Sequence, residues 1–364
     1  MNYRLSTLHP SEAYTANITE VIDINVADPI SALTIALKVG NTASAAPTAH
    51  AMACLTKIEI VDGSDVLFSL SGRQAEALDW YCNGVQRSNW NAYLNGMDTD
   101  RHVGINFGRW LWDPILALDP KKFTNLQLKF TLDYDAGGCA PDENTIEIWA
   151  CLFDEKKVEP TGFLMAKEIK EFAGTSSATH EYSDLPTDHP YRKLLIRAQE
   201  AGEEPGALLS NLKLSEDQDK RVVFNHGFGT IMRNIALHTP IYAESIIGYV
   251  GTSSTNGYCT PTTRINGICQ EWKLEAPTGS IAFYEGDGGE FQVIHELAGS
   301  NMQVELKGWL PHGVWDIPFG DQKDIEDWYD VTKIGSLRAD ITKTSTFTSS
   351  MAAQIFLQQM RKYA

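Results

Sequence analysis

Leu55-Thr56-Lys57-Ile58-Glu59-Ile60-Val61-Asp62-Gly63-Ser64-Asp65 alternates apolar and polar residues and then runs into an acidic turn. That is the pattern of a half-buried β-strand ending in a tight connection. Leu209-Ser210-Asn211-Leu212-Lys213-Leu214-Ser215-Glu216-Asp217-Gln218-Asp219 answers it later in the chain. A second pair follows in the same order. Asp119, Lys122, Phe123, Leu126 and Phe130 are matched by Asp330, Lys333, Ile334, Leu337 and Ile341. Between these blocks, Trp112-Asp113-Pro114 stands against Trp315-Asp316-Ile317-Pro318. Ordered echoes of this kind point to one all-β unit used twice.

Outward from these blocks the alternation continues. Strands are expected at Val21 to Val26, Leu33 to Val39, Val103 to Phe107, Leu126 to Tyr134 and Thr145 to Phe153. Beyond the charged, turn-rich stretch from Asp154 to Gly162 they resume at Phe163 to Phe172, Lys193 to Glu200, Leu208 to Leu214 and Leu337 to Lys343. Ser71 to Cys82 breaks the pattern: helical spacing follows a Ser-Gly start, and Gly84 can stop it. Many short strands with no alternating long helices favour β-sandwiches over a parallel α/β sheet. The expected organisation is an arm at 1–16, a first sandwich at 17–157 and a second at 158–349 with a long insertion around 240–268. At 350–364 the strong helix formers and absence of Gly and Pro predict an amphipathic helix. Its Phe356 and Met360 would form an apolar side and Arg361 and Lys362 a basic end, suited to an inner surface or to lipid headgroups.

The chain has 364 residues and 43% hydrophobic content, enough for two full cores, and a net charge of −17. Such an acidic balance argues against wrapping nucleic acid, which needs clustered Lys and Arg. No stretch approaches the ~18 consecutive apolar residues of a membrane-spanning helix, and no apolar signal-peptide core follows Met1. None of the six cysteines forms a C-x-x-C pair.

The chain lacks motifs for catalysis or for a cofactor or metal. Gly286-Asp287-Gly288-Gly289 lacks the Lys-Ser/Thr of a phosphate loop. His295-Glu296-Leu297-Ala298-Gly299 lacks the second histidine of a zinc motif. Asp62, Ser64 and Asp65, or Glu216, Asp217 and Asp219, offer oxygen ligands without completing a calcium loop. Two features keep an alternative open, a glycan-acting enzyme or carbohydrate-binding protein built from two jelly rolls. They are the Glu285, Asp287 and Glu290 carboxylates beside Tyr284, and the paired Trp112 and Trp315 as sugar platforms.

Three stretches carry a resemblance. Leu55 to Gly72 resembles the first-domain signature of double-jelly-roll major capsid proteins from tailless icosahedral, often membrane-containing bacteriophages. Pro190 to Ala198, continuing to Leu208 to Asp217, is similar to their second domain, and Ala353 to Tyr363 to their closing basic helix. The resemblance implies two tandem jelly rolls, a non-enzymatic structural role and pseudo-hexameric homotrimers that tile an icosahedral shell. As partners it implies the chain itself, neighbouring trimers, penton and minor capsid proteins and an internal lipid membrane. It places the protein in the virion, after synthesis and assembly in a host cytoplasm.

Overall fold

The structure, a computed structural model, describes residues 1–85, 87–175, 177–250, 254–272, 281–284, 288–295 and 300–363. Ten elements open the chain: β1 (Tyr3–Tyr14), β2 (Ile18–Asp23), β3 (Ile30–Asn41), β4 (Leu55–Asp62), β5 (Asp65–Leu70), α1 (Gly72–Asn83), β6 (Asn91–Tyr93), β7 (Asp98–Asn106), β8 (Leu126–Leu132) and β9 (Pro141–Phe153). They pack as two facing sheets with strand orders β1-β9-β3-β7 and β2-β8-β4-β5. Leu33, Ile35, Ile58, Ile60, Phe130 and Ile148 fill the space between them, all fully buried.

A second set repeats the first. It comprises β10 (Gly162–Ala173), β11 (His180–Leu185), β12 (Tyr191–Ala198), the one-turn helix α2 (Pro205–Leu208), β13 (Leu209–Glu216), β14 (Arg221–Gly227) and α3 (Phe228–His238). An insertion follows: β15 (Tyr242–Val250), β16 (Ser254–Tyr258), β17 (Thr263–Trp272), β18 (Ile281–Tyr284), β19 (Glu290–His295) and β20 (Ser300–Trp309). Then β21 (Val314–Pro318), β22 (Leu337–Lys343) and β23 (Ala352–Lys362) complete the repeat. Strand orders β10-β23-β12-β21 and β11-β22-β13-β14 reproduce the first set, element for element. Each half is therefore an eight-stranded jelly roll.

The repeat extends to register. β4 opposes β5 through Ile58↔Leu70 and Ile60↔Phe68, with a bulge before Val61↔Val66. β13 opposes β14 through Leu212↔His226 and Leu214↔Phe224, with a bulge before Ser215↔Val222. Ile30 exchanges backbone hydrogen bonds with Leu118, and Tyr191 does so with Tyr329. The acidic turns serve one purpose twice. Asp62 accepts from the backbone N–H groups of Thr124 and Asn125, and Asp217 from those of Gly335 and Ser336. Each carboxylate thus pins the loop leading into the neighbouring strand. Asp119 and Asp330 likewise cap the short turns that follow them.

The two jelly rolls share one continuous sheet. β5 pairs in parallel with β10 through Phe68↔Ala166 and Ser69↔Lys167, which produces the eight-stranded order β2-β8-β4-β5-β10-β23-β12-β21. Leu195, Val314 and Phe356 project from the outer face of β12, β21 and β23 into the core of the first jelly roll.

Several expectations need correction. Residues 3–14 are no arm but β1, the edge strand beside β9. Residues 352–362 are no helix but β23, held between β10 and β12. The physical reason is burial on both faces. Ile355 and Leu357 face the second core while Phe356 faces the first, so the apolar residues run together rather than alternate, and periodicity alone does not separate strand from helix. The insertion is also longer than expected: residues 239–313 separate α3 from β21. The Trp echo is not structural. Trp315 lies in β21, opposite Ile196, whereas Trp112 sits in a turn after β7 with φ 71°. The expected helix at Ser71 to Cys82 is present as α1, with a Ser71–Gln74 capping box and Gly84 left-handed at its end.

Because Phe356 is fully buried at the junction of both jelly rolls, Phe356→Ala should destabilise the chain by about 3–5 kcal/mol. Chemical denaturation of the variant against the wild type measures this, and a change below about 1 kcal/mol would contradict the placement of β23.

Candidate functional site: a buried ionic junction and an open sheet face

Where the first jelly roll, the insertion and the start of β21 meet, the interior is polar. Helix α1 turns Glu76 inward, β7 supplies Arg101, β15 supplies Glu244 and the turn before β21 supplies His312. All four are buried. Arg101 bonds Glu76 through Nη2 and donates from Nη1 to Glu244 at 2.7 Å. Thr260 receives a further Arg101 N–H at 2.8 Å, and its own backbone N–H donates to Glu244 at 2.8 Å. Asn91 of β6 donates to Glu244 at 2.6 Å. One guanidinium thus ties together three segments distant in sequence.

Burial alone would raise the Glu76 carboxyl. The Arg101 charge and the hydrogen bonds from His312 and Arg101 overcome it and hold the group at about 2. His312 is pushed down to about 4 by burial, against the pull of Glu76, so it is neutral at pH 7. A neutral imidazole 2.9 Å from a carboxylate carries its proton on Nε2 and donates it to Glu76. His50, packed edge-on against His312 at 4.8 Å, is lowered by burial and then by Arg101. The backbone here is strained. Leu310 and His312 both have positive φ, 52° and 53°, and neither is a glycine. Thr262 donates to the Leu310 carbonyl at 2.7 Å, and the His312 N–H donates to the Thr260 carbonyl at 2.8 Å.

A second polar seam lines the joint between the jelly rolls. Lys193 bonds Asp316 at 2.5 Å, Gln74 donates to Glu168 at 2.6 Å, Tyr81 donates to the Val314 carbonyl at 2.7 Å, and Arg361 bonds Asp65 at 2.5 Å. These contacts cover the outer face of β10-β23-β12-β21 with α1 and β5. The matching face of the first jelly roll is only partly covered, by Arg87 and its neighbours after α1. Its registers place Thr34, Trp149 and His102 where the second has Leu195, Phe356 and Val314. Those three line a groove of about 580 Å³ together with Val85, Leu111 and Cys151.

The residues expected at an inner or lipid-facing surface divide. Phe356 and Met360 are buried, at 0% and 3% exposure, and do not reach such a surface. Arg361 is engaged by Asp65, and Lys362 is exposed. Of the hairpin carboxylates, Glu290 accepts from Asn256 at 2.7 Å, while Glu285 and Asp287 lie outside the described residues. Trp112 packs on Tyr3 and Phe153, and Trp315 is buried against Phe228, so neither presents a sugar platform. The turn carboxylates considered for calcium have protein partners: Asp65 binds Arg361, Glu216 binds Arg221 and Asp219 binds Lys213. The ionic junction was not anticipated. Its one sequence signal is Glu76, a charged residue within the apolar spacing of α1.

By sequence, no protein-family model and no curated protein matches the chain. Solved structures do match in fold. The major capsid protein P2 from bacteriophage PM2 aligns with TM-score 0.57 at 11% identity, covering 100% of this chain and 98% of that one. A chain of the Sulfolobus Turreted Icosahedral Virus structure aligns with TM-score 0.59 at 12% identity, covering 100% and 91%. A chain of the PBCV-1 virus capsid aligns with TM-score 0.58 at 12% identity, covering 99% and 94%. The fold is the double jelly roll of these capsid proteins.

Two outcomes follow from the ionic junction. Arg101→Met leaves Glu76 and Glu244 buried without their cation and should cost about 3–5 kcal/mol by denaturant unfolding; a neutral result would show that the cluster is not the clasp described. His312 titrates lower in the folded chain than in the unfolded one, so the unfolded chain binds protons first as pH falls. Stability should therefore hold above the usual histidine value of 6.5 and drop between there and about 4. His312→Gln, which keeps a donor to Glu76, should make that part of a Tm-versus-pH curve shallower while the part due to the buried His50 remains, and an unchanged slope would contradict the assignment.

Proposed function

We propose that the chain is a viral major capsid protein that self-associates into pseudo-hexagonal homotrimers, which in turn tile an icosahedral shell. The observation that carries this reading is the duplication itself. Two jelly rolls with the same strand order and matching registers repeat one framework, the second with the β15–β20 insertion added. Three such chains around a threefold axis place six similar units at the rim, which lets one subunit tile a surface that calls for sixfold packing. The likeness of the whole chain to capsid proteins supports the same reading. Its action is assembly rather than chemistry, and it belongs in the virion. Neighbouring trimers, penton proteins and minor capsid proteins are its partners. A net charge of −17 makes the capsomers repel, so shell formation is favoured by salt or divalent cations.

Native mass spectrometry of the purified chain should give a species at three times the 40.4 kDa chain mass. Negative-stain microscopy should then show pseudo-hexagonal particles that form sheets or shells as ionic strength rises. A chain that remains monomeric at all concentrations and salts would overturn the reading.

A further inference from the structure

Resting on the trimer reading, we propose that the contact joining the two jelly rolls inside one chain is repeated between chains. In this contact β14 and α3 of one copy dock on the edge strand β1 and the partly covered sheet face of the next. The registers define each element's counterpart. Within a chain, β5 and α1 of the first jelly roll cover β10 and the outer face of the second. The counterparts of β5 and α1 are β14 and α3, and the counterparts of β10 and its sheet are β1 and the β1-β9-β3-β7 face. In the described chain β14 and β1 are unpaired edges, and the β1-β9-β3-β7 face keeps a groove in which Trp149 and His102 are half-buried and Thr34 lies at the buried floor. β14 is a sheet edge whose residues are all exposed or half-buried, and β1 is a twelve-residue edge on the other side. Long unpaired edges invite pairing unless something covers them.

Three observations fit these surfaces to one another. The first is position. Phe68 opposes Ala166 within the chain, and the shared bulges place Phe224 and Leu5 at the same two positions. Leu5 is 64% exposed, whereas Ala166 is buried. The second is the helix. Tyr81 of α1 reaches β21 across the internal joint, and its counterpart on α3 is Leu237, 78% exposed in the single chain. The groove of Thr34, His102 and Trp149 lies on the face such a residue would meet. The third is charge. Within the chain Asp65 binds Arg361. The counterpart of Asp65 is Arg221, which is 68% exposed and bound at one nitrogen by Glu216, and that of Arg361 is Asp154, 3.9 Å from Arg4; between chains the pair re-forms with its signs exchanged. A head-to-tail contact of this kind joins different surfaces on the two partners and closes as a ring.

Charge exchange tests the pairing. Arg221→Asp and Asp154→Arg should each raise the concentration for half-assembly, measured by sedimentation, by about tenfold. The double variant should return it to near the wild-type value, because the exchanged pair re-forms. Ser6→Cys with Asn225→Cys, joined by a short bismaleimide, should give covalent products that stop at three chains, with the wild type and the single variants as controls. Losses that add in the double charge variant, or a cysteine pair that does not cross-link in a protein that is trimeric, would overturn this interface while leaving the trimer intact. A ladder beyond three chains would show an open rather than closed contact and overturn the proposal. A wild-type chain that is monomeric throughout would overturn the trimer and this contact together.

Discussion

Leu195, Val314 and Phe356 leave the face of the second jelly roll and complete the core of the first. Burying three such side chains is worth about 1.5–3 kcal/mol each, and the parallel β5–β10 pairing aligns the strands that carry them. The ionic junction acts differently. A buried ion pair returns little net stability against its desolvation cost. Arg101 meets carboxylates from α1 and β15 at once and so ties the insertion to the first jelly roll. Apolar burial holds the halves together, and the polar cluster links the insertion to the first jelly roll.

That division bears on assembly. Under the proposed trimer reading, a subunit that forms a rim presents its edges at fixed angles, and a rigid internal joint serves that. The insertion is tied to the first jelly roll through Tyr93 of β6, which enters the insertion's own core with Val293 and Val304, and through the parallel pairing of β6 with β15. Thus the longest excursion of the second copy rests on the first copy.

Much of the architecture could be read from residues. The Leu55 and Leu209 blocks are strands in equivalent places, and their acidic turns repeat because Asp62 and Asp217 each pin a following loop. The Ser71 start and Gly84 stop mark α1 because capping is a local interaction. The tail could not be read this way. Ile355-Phe356-Leu357 serves two cores, and Gln354 and Gln358 are buried in polar seams, so its pattern imitates a helix with a polar side. The Trp echo misled because two similar tripeptides occupy different structural positions. Glu76, Arg101, Glu244 and His312 are scattered across the sequence and meet only through the topology; no spacing rule connects them.

In the proposed assembly, duplication lets a threefold arrangement imitate sixfold packing by reusing one contact. An electron cryo-microscopy reconstruction of the assembled capsomer, at a resolution that traces strands, tests it most directly. The account predicts six jelly rolls around each threefold axis, with a β5–β10 joint inside every chain alternating with a β14–β1 joint between chains. Capsomers with another number of chains, or jelly rolls meeting between chains through surfaces unrelated to the internal joint, would contradict it.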